Sequence, residues 1–141
     1  MTRRSMILAV AGVLMLPATA PAAERTELRG TLPQASVEFQ AVSVNGDIVK
    51  VNKFKFSDVA LACDEGVVIV SRARPLPAMK VNKRNRFGAT FDFKGAEEVK
   101  VGGKITNGGT QAHGMLRVKG NFTVDGVRYG NCDSDKVKWA T

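Results

Sequence analysis

Alternation of apolar and polar residues with a period of two most constrains the fold of this 141-residue chain. Between Phe87 and Phe93 every second residue is Phe or Ala, and polar or small residues stand between them. Successive side chains of a β-strand point to opposite faces, so this run predicts a strand with one buried face. Beyond residue 23 no window of twelve residues shows a 3.6-residue apolar period, so we expect no helical domain.

Turn signals separate the alternating runs. Asn45-Gly46 lies between two apolar runs, and so does Asp125-Gly126. Both dipeptides tolerate positive φ at each residue, which predicts two tight β-hairpins. The spacing of runs and turns predicts eight to ten short antiparallel strands. This pattern indicates an all-β sandwich or barrel, and of the two we expect a β-sandwich of jelly-roll or immunoglobulin-like type.

Residues 1–23 have the composition of a cleavable signal peptide. Arg3 and Arg4 precede the apolar run Met6–Leu16, and alanines follow it. The run is shorter than the roughly 20 residues that a transmembrane helix needs. The two arginines also fit a twin-arginine export signal. We expect a secreted bacterial protein of the extracellular space or cell envelope, with one all-β domain over 24–141, an irregular, mobile lead-in over 24–34 and no transmembrane segment.

Two cysteines, Cys63 and Cys132, follow the expected leader. One pair of thiols in an exported domain favours one disulfide. The alternative is two free thiols that serve as metal ligands or as a nucleophile beside His113, the only histidine. With a bridge, Trp139 is expected in the core close to it.

Residues 24–141 contain 19 basic and 13 acidic residues, a net charge of +6. A basic exported domain is attracted to anionic polymers of the cell envelope, although plain solubility explains the charge equally well. One stretch without acids supplies the candidate anion-binding residues Arg72, Arg74, Lys80, Lys83, Arg84 and Arg86. The alternative is a solvated loop. The stretch lacks aromatic platforms apart from Phe87, so specific binding of nucleic acid is not expected.

Acidic residues follow both cysteines: Asp64 and Glu65 after the first, Asp133 and Asp135 after the second. A bridge would bring the four carboxylates to one end of the fold, where Ca²⁺ is a ligand of suitable chemistry. The alternative is two ordinary turns, with neighbouring lysines that balance the charge.

Catalytic motifs are absent from the sequence. It has no Gly-x-Ser-x-Gly, His-Glu-x-x-His or phosphate-binding loop. Hydrolysis of glycosides needs only two carboxylates, so a small secreted hydrolase with paired carboxylates stays an alternative.

Five short segments form a pattern along the chain. In order, they are Val37-Glu38-Phe39, Cys63, Arg86-Phe87-Gly88, Gly114–Val118 and a last segment from Cys132 to Trp139-Ala140. The pattern resembles a diffuse set of small secreted all-β proteins of actinobacterial type. The resemblance implies a compact β-sandwich with a Cys63–Cys132 bridge, and it implies no activity. We expect a non-catalytic module that binds an anionic envelope polymer or another secreted protein. A structural envelope protein or an inhibitor is an alternative that the sequence leaves open.

Overall fold

The fold is all-β. The computed structural model describes residues 22–32, 35–93 and 97–141, and no helix among them is long and apolar enough to cross a membrane. These residues form ten strands and a three-residue 3-10 helix at Asn107–Gly109. The strands are β1 (Glu24–Leu32), β2 (Ala35–Val44), β3 (Asp47–Cys63), β4 (Gly66–Arg72), β5 (Met79–Lys80), β6 (Arg86–Phe93), β7 (Glu97–Thr106), β8 (Gln111–Val124), β9 (Val127–Asp133) and β10 (Val137–Ala140).

The ten strands form one antiparallel sheet, which is not closed, with the order β1-β2-β3-β9-β8-β7-β6. Two long strands organise it. Strand β3 also pairs with β4 and β5, and strand β8 also pairs with β10. The all-β class and the number of strands are as predicted. The single continuous sheet does not by itself establish two packed sheets.

The two expected hairpins are present. Asn45 and Gly46 have φ of 53° and 82° in the turn between β2 and β3. Asp125 and Gly126 have φ of 50° and 78° between β8 and β9. A turn with positive φ at both central residues has a backbone twist that fits the right-handed twist of the flanking strands. These dipeptides therefore connect two paired strands by a tight turn.

The core centres on four aromatic residues from different parts of the sheet. The rings of Phe39 and Trp139 lie 5.5 Å apart, and Phe87 lies 5.7 Å from Phe39. Phe54 stacks on Phe39 at 5.4 Å. These contacts bring β2 and β3 against β6 and β10. The opposite surface of β6, β7, β8 and β10 is left facing solvent.

The expected irregular lead-in is wrong over most of its length. Glu24–Leu32 is strand β1, which pairs with β2 from Glu24↔Ser43 to Leu32↔Ala35. Residues 33–34 lie outside the described residues. The sequence looked irregular because few positions are apolar: Leu28 is buried, while the charged residues around it are exposed. A strand with one solvent-exposed face and few apolar residues on the other shows little alternation of apolar and polar residues in its sequence.

Trp139 is in the core, as expected, but not beside the disulfide. Trp139 pairs with Gly114 of β8, and Cys132 pairs with Gly120 of the same strand. Six residues of extended chain separate these positions, about 20 Å. The tryptophan and the bridge therefore stabilise different ends of the sheet.

Candidate functional site

The predicted disulfide is confirmed. Cys63, the last residue of β3, is bonded to Cys132 of β9 with an S–S distance of 2.01 Å, and the described residues contain no free cysteine. Ala62 pairs with Asp133 at the same place. The bridge thus fastens the junction of β3 and β9, where the β1-β2-β3 part of the sheet joins the β9-β8-β7-β6 part, and no thiol remains for metal binding or nucleophilic attack.

Asp64 and Glu65 are used to hold β9. The Glu65 carboxylate accepts a hydrogen bond from the Gly130 amide at 2.7 Å. The Asp64 carboxylate accepts one from the Asn131 side-chain amide at 2.7 Å, and the Asp64 amide donates to the Gly130 carbonyl at 3.0 Å. Both acids therefore bind the backbone and side chains of the neighbouring strand.

Asp133 is bound by Arg117 of β8. Arg117 donates from Nε to Oδ1 at 3.0 Å and from Nη2 to Oδ2 at 2.6 Å. This bidentate hydrogen bonding lowers the pKa of Asp133 to about 2, helped by the Asp135 amide, although desolvation opposes it. The pKa of Arg117 is raised, chiefly by the same hydrogen bond. Asp135 lies 3.8 Å from Arg117 and is almost fully exposed.

The four acids consequently form two separate sets, one bound to β9 and one around Arg117. Within 22–32, 35–93 and 97–141, no three His, Cys, Asp or Glu side chains are grouped so that they could hold a metal ion. The calcium site at Asp64, Glu65, Asp133 and Asp135 stays a prediction, and this geometry gives it no support.

The six candidate anion-binding residues do not form one site. Arg72 pairs with Phe56 and Lys80 with Lys50, positions six residues apart on β3 and so about 20 Å apart. The chain runs along the edge of β3 between them. Arg72 and Arg74 are therefore at one end, and the remaining four, Lys80, Lys83, Arg84 and Arg86, are at the other.

Arg72 is engaged inside the fold. Its guanidinium lies 3.7 Å from the centre of the Phe93 ring and 3.5 Å from the Glu97 carboxylate. Only 18% of its side chain is exposed. Cation–π contact and an ion pair give this arginine a structural role.

Lys83 and Arg84 lie in a tight turn between β5 and β6. The Asn82 side-chain oxygen accepts hydrogen bonds from the amides of Arg84 at 2.9 Å and Arg86 at 3.0 Å. Both cations of the turn are exposed. The turn leads directly into Arg86, the first residue of β6.

A larger basic surface continues from Arg86 across the solvent-facing side of the sheet. Val99, Val101 and Ile105 of β7 are buried, so the alternate residues of β7 face solvent. In register, Arg86 pairs with Lys104, and Lys100 pairs with Arg117. Lys138 of β10 pairs with Met115 of β8. We call this surface the basic face, and its cations are Arg86, Lys100, Lys104, Arg117, Lys136 and Lys138.

The charge of the basic face is mostly uncompensated. Among the described residues, Arg117 is the one cation of the six that makes a salt bridge. The next row along the strands contains Asp92, Glu98, Lys119 and Asp133, so three acids and one lysine border the face at one end. Two shallow clefts lie on it, of about 250 Å³ beside Lys100, Arg117 and Lys136 and about 550 Å³ beside His113 and Lys138.

Sequence reasoning missed most of this surface. Lys100 and Lys104 are close in sequence and lie near buried Val101. Lys136 and Lys138 are likewise close, and Lys138 precedes buried Trp139. That alternation places them on a solvent-facing side. Which strands lie next to each other, and so which cations meet, is decided by long-range pairing that period-two patterns do not encode.

No protein-family model matches the chain, and neither a curated protein nor a solved structure does.

Proposed function

We propose that this protein is a non-catalytic binding module that holds an anionic polymer of the cell envelope on its basic face. The observation that carries the proposal is that five cations lie together on one side of the sheet and make no ion pair among the described residues: Arg86, Lys100, Lys104, Lys136 and Lys138. Surface cations that are close together and uncompensated create a positive potential, which attracts a polyanion and releases it at high salt.

Export is part of the same proposal. The leader over 1–23, the secreted or envelope location and the bacterial source rest on sequence pattern, as does the resemblance to small secreted actinobacterial-type proteins. The disulfide supports an oxidising compartment. The sandwich description also belongs here: contacts such as Phe39 with Trp139 support two opposed inner surfaces within the one sheet.

The alternative of a hydrolase with paired carboxylates needs two acids across one cleft. Three other clefts among the described residues are each lined by a single carboxylate: Glu38 near Ser36, Asp133 near Asn131, and Asp47 near Val81. The two clefts on the basic face contain none. The geometry favours polymer binding over this chemistry.

The experiment that tests the proposal measures binding of the purified, disulfide-bonded protein to immobilised inorganic polyphosphate over a range of salt concentrations. We expect binding at low ionic strength that weakens steeply toward about 0.5 M salt, because the Debye length falls to a few ångströms. The double variant Lys100→Ala/Lys104→Ala should bind about tenfold more weakly or worse.

The matched variant Lys83→Ala/Arg84→Ala removes the same charge from the turn. We expect it to keep most of the binding, because the turn lies at the edge of the basic face. Equal losses in both variants would mean that net charge alone drives binding. No binding by the unmodified protein at low salt would overturn the proposal.

A further inference from the structure

Gly102 is a glycine that the fold does not require. A Cβ placed on it would have the Phe87 carbonyl oxygen, at 3.9 Å, as its nearest atom outside the two adjacent residues, and its φ is not in the left-handed region. The neighbouring Gly103 is different, because a Cβ there would lie 2.7 Å from the Phe87 ring and 2.8 Å from Trp139. A glycine inside a strand is less favourable than alanine, and it often marks a bulge, a tight bend, or the close approach of a ligand or another backbone. Strand β7 has no register shift against β6 or β8, so a bulge does not explain Gly102.

Gly102 lies in the middle of a row that crosses the strands. It pairs with Gly88 of β6 on one side and with Met115 of β8 on the other, and Met115 pairs with Lys138 of β10. This row has little side-chain bulk near β6 and β7 and ends at a lysine.

Cations flank the glycine row on both sides. Arg86 and Lys104 form one border, and Lys100 and Arg117 form the other. Lys100 and Lys104 are four residues apart on one strand, so the borders are about 13 Å apart. The result is a groove with a low floor and positive walls, and the two shallow clefts of the basic face meet at Met115 in it. We call it the glycine groove.

We propose that the glycine groove holds one linear polyol-phosphate chain, a phosphodiester polymer without bases or sugar-ring stacking, laid across β6, β7 and β8. This inference rests on the proposed function and names the ligand of the same surface. Charge complementarity identifies a polyanion. The low floor admits a thin chain close to the backbone, with the phosphates between the two cationic borders.

The side chains of the groove favour phosphodiester chemistry over the other polyanions. No Phe, Tyr or Trp ring is exposed along it: Trp139 is 2% exposed, and Phe87 is buried on the opposite side of β6. The imidazole of His113, which pairs with Lys104 at one border, is the exposed ring there among the described residues. Bases and sugar rings would therefore have little platform to stack on. Its unpaired cations are mostly lysines, which bind phosphate as point charges, whereas the arginine fork of Arg117 is already occupied by Asp133.

The test fills the groove without changing charge. Binding of a linear poly(glycerol phosphate) chain is measured for the wild type, Gly102→Leu and Thr123→Leu; Thr123 is exposed on β8 outside the groove. We expect Gly102→Leu to weaken binding about tenfold or more and Thr123→Leu to leave it unchanged. Gly102→Ala, which adds one methyl group, should give an intermediate loss at an unchanged or higher melting temperature, so the result does not depend on the larger variant being stable.

The outcomes separate the groove from the basic face. If Gly102→Leu and Gly102→Ala bind like the wild type while Lys100→Ala/Lys104→Ala loses binding, the glycine groove is wrong and the basic face stands. If none of these variants weakens binding, both proposals fail. Single-stranded DNA and polygalacturonate are measured in parallel. If either binds as tightly as the polyol-phosphate and is equally weakened by Gly102→Leu, the assigned ligand class is wrong.

Discussion

Lys100 and Arg117 lie opposite each other across β7 and β8, two like charges in register, and Asp133 balances only the arginine. Directly opposed like charges destabilise a sheet. The bidentate hydrogen bonds to Asp133 offset this cost for Arg117 and leave Lys100 free to present its charge to solvent. Asp133 therefore stabilises the edge of the basic face without neutralising the face.

The ion pair makes stability depend on pH in the acid range. The pKa of Asp133 is lowered to about 2 in the folded protein, below its ordinary value of 3.8. A lowered pKa contributes stability above the ordinary value and loses it as the pH falls from about 4 to about 2. About a third of each side chain is exposed, so water screens the pair and the contribution at pH 7 is about 1 kcal/mol.

Asp133→Asn should therefore have a lower melting temperature at pH 7 and a smaller further decrease between pH 4 and pH 2 than the wild type. Thermal unfolding followed by circular dichroism at several pH values measures both. Parallel curves for the two proteins across this range would show that Asp133 makes no such contribution.

The disulfide should be the largest single contribution to stability. Cys63 and Cys132 are 69 residues apart, and closing a loop of that length is worth about 4 kcal/mol in the chain-entropy model. We expect Cys63→Ala/Cys132→Ala to unfold at a markedly lower denaturant concentration. Reduction of the wild-type protein is the control and should give a similar loss. A loss below about 1 kcal/mol would mean that the hydrogen bonds of Asp64 and Glu65 to β9 hold this end without the bridge.

Gly114 and Gly102 should respond in opposite directions to one methyl group. A Cβ on Gly114 would overlap the Gly102 carbonyl oxygen and lie 2.5 Å from Trp139, both of which are fixed by packing. We expect Gly114→Ala to cost about 3 kcal/mol or more, as overpacking against backbone does. Gly102→Ala has open space and should be neutral or stabilising by up to about 1 kcal/mol. Urea unfolding measures both, and equal effects would contradict the packing described for Trp139.

Arg72 should matter for stability and not for polymer binding. Arg72→Ala removes the contact with Phe93 and leaves Glu97 without its ion pair, which we expect to cost about 1–2 kcal/mol. Polyphosphate binding measured at a temperature where the variant is folded should stay within about twofold of the wild type. A large loss of binding with unchanged stability would show that Arg72 contacts the polymer.

The local features of the fold were predictable from sequence because they depend on neighbours in the chain. The strand Phe87–Phe93 follows from strict alternation, and the hairpins at Asn45-Gly46 and Asp125-Gly126 follow from residues that tolerate positive φ. The disulfide was predicted from the presence of two cysteines after an expected export signal. Strand β1 was missed because its apolar stripe is short and charged residues surround it.

The candidate site was predictable only in part because it depends on strand order. Arg86 was identified from a run of cations in sequence, but within the same run Arg72 and Lys80 are already about 20 Å apart along β3. Lys104, Lys100 and Lys138 join Arg86 only through pairing of β6 with β7, β7 with β8 and β8 with β10. No local pattern specifies those pairings, so the basic face could not be assembled from sequence.

Charge reversal on the basic face tests the central claim most directly. Calorimetric titration with inorganic polyphosphate compares Lys100→Glu/Lys104→Glu with Lys53→Glu/Arg128→Glu, a control with the same net charge whose residues are exposed on β3 and on the β8–β9 hairpin. We predict that the first variant no longer binds at moderate salt while the control binds within about threefold of the wild type. Equal weakening of both variants, or full binding by Lys100→Glu/Lys104→Glu, would contradict the assignment of this surface as the binding site.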